Sequence, residues 1–393
     1  MEDVFVISAV RTAIGDYGGG LKTEAPSTLG ASVIKEAVER ANVAPESVGH
    51  VVFGNVIHTE PRDMYLSRFA AIQAGLHEHT PAMTLNRLCG SGLQAVLSAA
   101  EYVANGDAEI AVGGGAESMS RALYSSALTR WGQRMGDTQL YDMMIGALTD
   151  PFGNGHMGIT AENVADRYRV SREEQDEFAA DSHRKAAQAV RQGRFDTQIM
   201  PVTVRKGREE SVFSVDEHIR PDLDATALAQ LRPVFKKEQG TVTAGNSSPI
   251  NDGAAAVVLG NERAAAAAGK EPLGRLVAFA HAGVDPAFMG IGPVPAVTKV
   301  LNKAGLRADD ISVIESNEAF AAQACVVTRE LRFDPTRVNP NGGAIALGHP
   351  IGATGAILVT KLLYELKRIK GRYGLVTMCI GGGQGIAALF ESV

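Results

Sequence analysis

Three side chains that can do covalent or proton-transfer chemistry sit in glycine-flanked segments far apart in the chain. Cys89 lies in Leu-Asn-Arg-Leu-Cys-Gly-Ser-Gly at 85–92, and His349 lies in Asn-Pro-Asn-Gly-Gly-Ala-Ile-Ala-Leu-Gly-His-Pro-Ile-Gly-Ala-Thr-Gly at 339–355. Cys379 lies in Thr-Met-Cys-Ile-Gly-Gly-Gly-Gln-Gly at 377–385. Cys89 immediately precedes a helical pattern, where the positive end of the helix favours a thiolate, and Gly90 and Gly92 let backbone approach a substrate. A histidine between Gly348 and Pro350 has little side-chain mass around it to bury it, so it is free to take a proton from a nearby thiol. Successive N–H groups after Cys379 can hold an oxyanion. The bland alternative for both cysteines is a small core residue, and for Cys325, in the glycine-free helical pattern Glu318–Leu331, that alternative is preferred.

Weaker candidates surround these. Asn317 follows a strand and can orient water or polarise a carbonyl, but asparagine is also a common turn residue. His156, in Gly-Asn-Gly-His-Met-Gly, and Ser247, in Ala-Gly-Asn-Ser-Ser, are suggestive only. Arg208, Arg220, Arg232, Lys236 and Lys237 make either a solvated face or a phosphate-binding patch.

The elements that must position these residues alternate between strand and helix, the α/β signature. Apolar runs predict strands at Asp3–Val10, His50–Val56, Ala82–Asn86 and Ala108–Gly113, with helices at Thr28–Ala41 (capped by Thr28), Asp63–Gly75 and Leu93–Ala104. From Glu117 to Asn246 the strand pattern largely stops. This stretch reads as an insertion containing an exposed helix opened by a Ser171/Glu174 capping box. The strand pattern resumes at Ala254–Leu259.

The second half then repeats the first. Leu276–Ala282, Val294–Ala304 and Ile311–Glu315 read as strand, helix and strand, followed by a helix over Gly352–Lys370 and a strand over Gly374–Met378. The passage Ala41–Val48 matches Ala304–Ile311 in role, and Cys89-Gly-Ser-Gly before a helix matches His349-Pro-Ile-Gly before a helix. Triple glycines at Gly113–Gly115 and Gly381–Gly383 read as the ends of equivalent strands. Such a repeat implies two similar stacked halves with Cys89 facing His349 across their junction.

A chain of 393 residues exceeds a typical single core. A net charge of −6 gives nucleic-acid binding no support. Three cysteines make a poor disulfide framework and fit a reducing compartment. The sequence shows no membrane-length apolar run, no signal peptide at its start and no Ser-Lys-Leu tail, so a cytoplasmic protein without a membrane partner is expected. Neither metal-ligand spacing nor a phosphate-loop motif is present, so no metal site and no NTPase are expected.

Taken together, the three signature segments resemble those of the thiolase family, the acetyl-CoA C-acyltransferases, and the resemblance spans the whole chain. Val51–Val56 and Met289-Gly-Ile-Gly-Pro293 look closest to bacterial short-chain β-ketothiolases of the polyhydroxyalkanoate type. The resemblance implies a thiolase fold, with two α/β/α/β/α halves related by pseudo-symmetry: 1–118 plus 247–268, and 269–393. An inserted loop domain, 119–246, would bind coenzyme A and tetramerise. It implies Cys89 as the acylated nucleophile, His349 as its activator and Cys379 as the base acting on the α-proton. Asn317, through a water, joins His349 at the enolate oxygen, and the N–H groups of Cys89 and Gly381 hold the tetrahedral oxyanion. His156, Met157, Arg220, Leu231, Phe235, Ala244, Ser247, Ala319 and Phe320 would contact coenzyme A or substrate.

The implied reaction condenses two acetyl-CoA to acetoacetyl-CoA plus CoA, reversibly, with C5 3-ketoacyl-CoA as a further substrate. Acyl-CoA and CoA are the ligands, and no cofactor is needed because two sulfurs and an imidazole can perform both halves of the chemistry. A homotetramer is implied as well. The alternatives are a β-ketoacyl synthase-like condensing enzyme, which would use two histidines, a non-catalytic acyl-CoA-binding relative, or a cysteine hydrolase.

Overall fold

In a computed structural model, which describes residues 2–207 and 209–393, the chain builds a sheet from both of its halves. The first half contributes β1 (Val4–Thr12), helix α1 (Pro26–Ala41), β2 (His50–Gly54), α2 (Leu66–Gln73), β3 (Ala82–Leu85), α3 (Ser91–Ala104) and β4 (Ile110–Ser118). An insertion then carries α4 (Met157–Tyr168) and α5 (Arg172–Arg191) before the chain returns as β5 (Asn251–Gly260). The second half supplies β6 (Gly274–Gly283), α6 (Pro293–Ala304), β7 (Ile311–Ser316), α7 (Ala321–Glu330), α8 (Thr354–Ile369), β8 (Tyr373–Ile380) and β9 (Gln384–Glu391).

Strand order is β7-β8-β9-β6-β1-β5-β4-β2-β3, and it reads the same outward in both directions from the antiparallel β1–β6 pair. On either side come two antiparallel neighbours and then parallel ones. The place of β3 is taken in the second half by a single parallel bridge between Ile314 and Val338. The Ala41 and Ala304 passages correspond as expected. Each helix ends in a left-handed residue, Asn42 or Gly305, and a short 3₁₀ turn leads into the next strand.

The two halves together make five layers. Helices α1 and α2 cover the outer face of one half-sheet and α6 that of the other, while α3 and α8 share the middle layer. Three apolar cores fill the spaces. The central one includes Leu93, Val96, Leu97, Ile357, Leu362 and Leu366, all buried.

The close approach of α3 and α8 decides where the chemistry falls. A Cβ on Gly92 would come within 2.9 Å of Ala353 O, and one on Gly355 within 2.1 Å of Leu93 N. These glycines let the first turns of the two helices touch, which draws the Cys89 and His349 loops together. Gly90 likewise faces the Ile380 side chain, at 2.5 Å from a built Cβ. The expectation that Gly90 and Gly92 open space for a substrate is therefore corrected: they admit neighbouring protein.

Other local expectations change as well. Helix α1 starts at Pro26, with Ala25 as its N-cap, so Thr28 lies inside the first turn. A 3₁₀ turn, Pro61–Tyr65, occupies the start of the stretch read as helix from Asp63. Gly113–Gly115 do not end a strand but run through the middle of β4, where built Cβ atoms would strike Val96, Phe53 and Gly352. Gly381–Gly383 are a true turn, with φ of +80° and +83° at Gly382 and Gly383. The two triplets are thus not equivalent. One serves packing against the middle layer, and the other reverses the chain between β8 and β9. No helix among the described residues is long and apolar enough to cross a membrane.

Candidate active site

Cys89, His349 and Cys379 all line one cavity of about 530 Å³, together with Gly381. Each arrives from a different element. Cys89 ends the loop into α3, after Leu88, whose φ of +46° is a left-handed conformation rare for a leucine. His349 ends the loop into α8, and Cys379 is the penultimate residue of β8. Glu117, at the end of β4, clasps the loops, accepting N–H bonds from Val56, Ile57 and Gly352 and from the Asn55 side chain.

His349 is buried with its tautomer set. Its Nδ1 lies 2.7 Å from Thr354 Oγ1, and the Thr354 hydroxyl donates its only proton to Pro350 O at 2.9 Å. The threonine oxygen can therefore only accept, which places the ring proton on Nδ1 and leaves a lone pair at Nε2. The Asn317 amide nitrogen stands 3.4 Å from Nε2, and Asn317 Oδ1 is buried with no partner among the described residues. Burial lowers the His349 pKa to about 4, so the ring rests neutral.

Both cysteines rest as thiols. Burial in this largely apolar cavity pushes Cys89 up to about 11, although the N–H groups of Gly381 and of Cys89 itself act the other way. The expected thiolate at a helix N-terminus is thus overruled by desolvation, the larger effect. Burial raises Cys379 further, and the neighbouring Cys89 adds to the rise. The two thiols and the imidazole therefore all rest uncharged.

The insertion and the segments at 247–248 and 319–320 supply more of the wall. His156 caps α4 by accepting from Gly158 N, and its ring stacks on Phe235 at 4.8 Å. Phe235 meets Phe320 edge-on at 6.3 Å. Only a glycine fits at 158, where a built Cβ would sit 2.3 Å from the Phe235 ring. Ser247 bridges to Phe320 in antiparallel fashion, and Ser248 N donates to Ala319 O. Met157, Ala244, Ser247, Ala319 and Phe320 therefore converge on the cavity with His156 and Phe235.

Arg220 and Leu231 do not line it. Both are exposed, Arg220 using its backbone N–H on His183 Nδ1 and Leu231 packing beside Gly245. Of the basic cluster, Lys236 pairs with Asp166 at 2.5 Å, Arg232 and Lys237 are exposed, and Arg208 lies outside the described residues. Cys325 is half-buried on α7 against Val164 and Val326 and lies away from this cavity.

Sequence reasoning missed Leu88, Met119, Ile145, Leu148, Met289 and Ile351, which give the cavity much of its apolar lining, and Asp16, Tyr17 and His218, which line it too. Ile351 and Thr354 were within reach, because both belong to the His349 segment. Ile145 and Leu148 carried no signal, since the helix there, Met143–Ala147, is too short to show a period.

Two outcomes follow from this geometry. Thr354→Val should remove the hydroxyl that fixes the ring and slow Cys89 acylation by about 10²-fold, whereas Thr354→Ser should stay within a few-fold of the parent, measured as single-turnover acetylation. Stability should also fall in acid. Histidine is protonated below its unfolded pKa of 6.5 in the open chain but stays neutral at position 349 until about pH 4. The unfolded state binds the extra proton between these values, so about 3 kcal/mol is lost as pH falls from 6.5 to 4. His183, also held down at about 4, adds a loss of the same sign. Melting temperature against pH checks this, and His349→Asn should flatten the slope.

Comparison with known proteins agrees with the geometry. The thiolase N-terminal domain matches residues 4–263, and the thiolase C-terminal domain matches residues 270–392. Beta-ketothiolase BktB of Cupriavidus necator is 60% identical over 392 residues, covering 100% of this chain and 99% of the relative. The crystal structure of the Bacillus anthracis acetyl-CoA acetyltransferase superposes with a TM-score of 0.98 at 44% identity, covering 100% of this chain and 99% of that one. Human mitochondrial 3-ketoacyl-CoA thiolase in complex with CoA superposes at 0.96 with 42% identity, covering 100% and 98%. With both domain matches spanning nearly its full length, and with two cysteines and a histidine gathered at one cavity, the chain belongs to the thiolase family.

Proposed function

We propose that this thiolase is a short-chain β-ketothiolase that joins two acetyl-CoA molecules into acetoacetyl-CoA and releases CoA, reversibly, and that also handles C5 3-ketoacyl-CoA. The observation that carries the reading is a neutral His349 with a free Nε2 lone pair on the same cavity wall as two protonated thiols.

The protons balance as follows. Cys89 passes its proton to His349 Nε2, its sulfur attacks the first thioester carbonyl, and His349 protonates the departing CoA sulfur. Cys379 then yields its proton to His349 and, as a thiolate, takes one from the α-carbon of the second acetyl-CoA. The resulting enolate displaces Cys89 from the acyl group, and His349 returns its proton to Cys89. Every group ends as it began. The N–H groups of Gly381 and Cys89, which already point at the Cys89 sulfur, are placed to receive the tetrahedral oxyanion. Asn317 and His349, side by side, would serve the enolate oxygen through a water.

Coenzyme A would enter past His156 and Phe235 of the insertion and past Ser247 and Phe320, which line the same cavity from outside it. No redox or electron-sink cofactor is called for, since both carbonyls are already activated as thioesters. A homotetramer is supported by the segment between β4 and α4, where Trp131 and Met135 are 88% and 87% exposed beside Leu123, Tyr124 and Leu140. Three free cysteines, two of them needed as thiols, fit the reducing cytoplasm. Supply of acetoacetyl units for polyhydroxyalkanoate synthesis is the role we assign.

The deciding experiment compares kcat/KM for acetyl-CoA with that for malonyl thioesters, and then across 3-ketoacyl-CoA chain lengths. Acetyl-CoA should win, with activity centred on C4 and C5. Faster turnover of malonyl thioesters would replace this reading with that of a decarboxylating synthase.

A further inference from the structure

Gln323 is buried in the first turn of α7, on a stretch whose apolar helical pattern gave no chemical signal. Its Oε1 accepts the backbone N–H of Ala319 at 3.1 Å and lies 3.7 Å from Cys379 Sγ, in hydrogen-bonding geometry for the S–H. The Ala319 N–H fixes which end of the amide faces the sulfur, because a flipped amide would set two donors against each other. Packing fixes the rest. A Cβ built on Gly290 would stand 2.6 Å from Gln323 Cβ, so the glycine of the Met289-Gly290-Ile291-Gly292 turn exists where this side chain needs room. Gln323 Nε2 has no partner among the described residues. A buried amide left half-satisfied is an unfavourable arrangement that asks for a reason beyond packing.

We propose that Gln323 is a positioning residue for the carbon acid–base step, an acceptor that holds the Cys379 S–H turned away from the substrate's α-carbon. The inference rests on the assignment of Cys379 to that step. An acceptor oxygen beside the sulfur stabilises the thiol and destabilises the thiolate, which makes the thiolate a stronger base when it forms. In condensation, the proton that Cys379 takes from acetyl-CoA swings onto Gln323 Oε1, so it is not handed straight back to the enolate carbon. In thiolysis the same S–H swings off Gln323 to protonate that carbon. No atom is gained or lost at Gln323 in either direction.

The competing role is purely structural: a glutamine at the third position of a helix reaches back to an orphan N–H. Gln323→Glu separates the two. It keeps the acceptor that bonds Ala319 N–H, so a cap alone would leave proton exchange unharmed. On the proposal, Gln323→Glu stays folded at the assay temperature and acetylates Cys89 within about threefold of the parent rate. Exchange of acetyl-CoA α-protons with D₂O falls about tenfold or more. In a Cys89→Ala background, the pH midpoint for alkylation of Cys379 by iodoacetamide, followed by peptide mass spectrometry, moves upward. Gln323→Met, which removes the acceptor at similar volume, moves that midpoint downward. Unchanged exchange and an unchanged alkylation profile in folded Gln323→Glu or Gln323→Met would leave Gln323 as a cap and overturn the proposal. Loss of the Cys379 assignment would show separately, as α-proton exchange that survives Cys379→Ser.

Discussion

Cys89→Ala is expected to lower condensation and thiolysis alike by at least about 10⁴-fold, because the nucleophile and the groups that serve it act as a unit. No other sulfur can substitute. Cys379 lies on the same wall but its thiol is held higher still by burial, and Cys325 sits on the far side of α7 in an apolar setting that raises it to about 12. Folding should be nearly untouched, since Cys89 is only half-buried and its side chain is small. The measurement is acetyl transfer from labelled acetyl-CoA followed by peptide mapping. In the parent the acetyl group should sit on Cys89 alone, and in Cys89→Ala on no residue. Label on Cys325, or turnover in Cys89→Ala within a hundredfold of the parent, would remove the covalent mechanism. Exchange of α-protons should remain measurable in this variant, because Cys379, His349 and Asn317 are all still in place.

That expectation depends on a neutral resting site, which the sequence did not suggest. Glycines and a helix start beside Cys89 pointed to a thiolate, and the local reading of each feature was sound. Desolvation, however, depends on what closes over the sulfur. Leu88, Met157, Met289 and Ile351 come from four separate parts of the chain, and no local pattern announces their convergence. The same limit explains Gln323, which looks like any polar residue in a helix until Ala319, Gly290 and Cys379 are brought around it.

What was legible is what repeats or has a period. The matched passages after α1 and α6 carried the pseudo-symmetry, and the strand–helix alternation gave the layers. The paired glycine segments before α3 and α8 pointed to Cys89 and His349 in one place, and both line the same cavity. Their purpose was misjudged. Gly92 and Gly355 are small so that two helix N-termini can cross within van der Waals contact, and the cavity begins only beyond that crossing. Gly113–Gly115 were misjudged for a related reason: a glycine run in a strand and a glycine run in a turn look identical without the layer that packs on them.

Cys379→Ser is expected to split the reaction in two. Acetylation of Cys89 needs only the Cys89 thiol, His349 Nε2 and the Gly381 and Cys89 N–H groups, all of which remain, so the acetyl-enzyme should form within a few-fold of the parent rate. Condensation and α-proton exchange should fall by about 10²–10⁴-fold, the span a positioned general base contributes. A serine hydroxyl is a far weaker acid than a thiol, and burial that already penalises the thiolate would penalise an alkoxide more. The fold should tolerate the change. Residue 379 is only 1% exposed, but serine differs from cysteine by a single smaller atom, and a small shift of the Gln323 side chain brings Oε1 within reach of the hydroxyl. The stalled acetyl-enzyme should therefore accumulate in a fully folded protein, visible as acetylated Cys89 with acetyl-CoA present and no acetoacetyl-CoA released. If instead condensation survives within tenfold, the base lies elsewhere, and the remaining buried proton acceptor at the site is His349. In that event His349→Asn would abolish exchange as well as acylation, and the division of labour between one sulfur as nucleophile and the other as base would have to be given up.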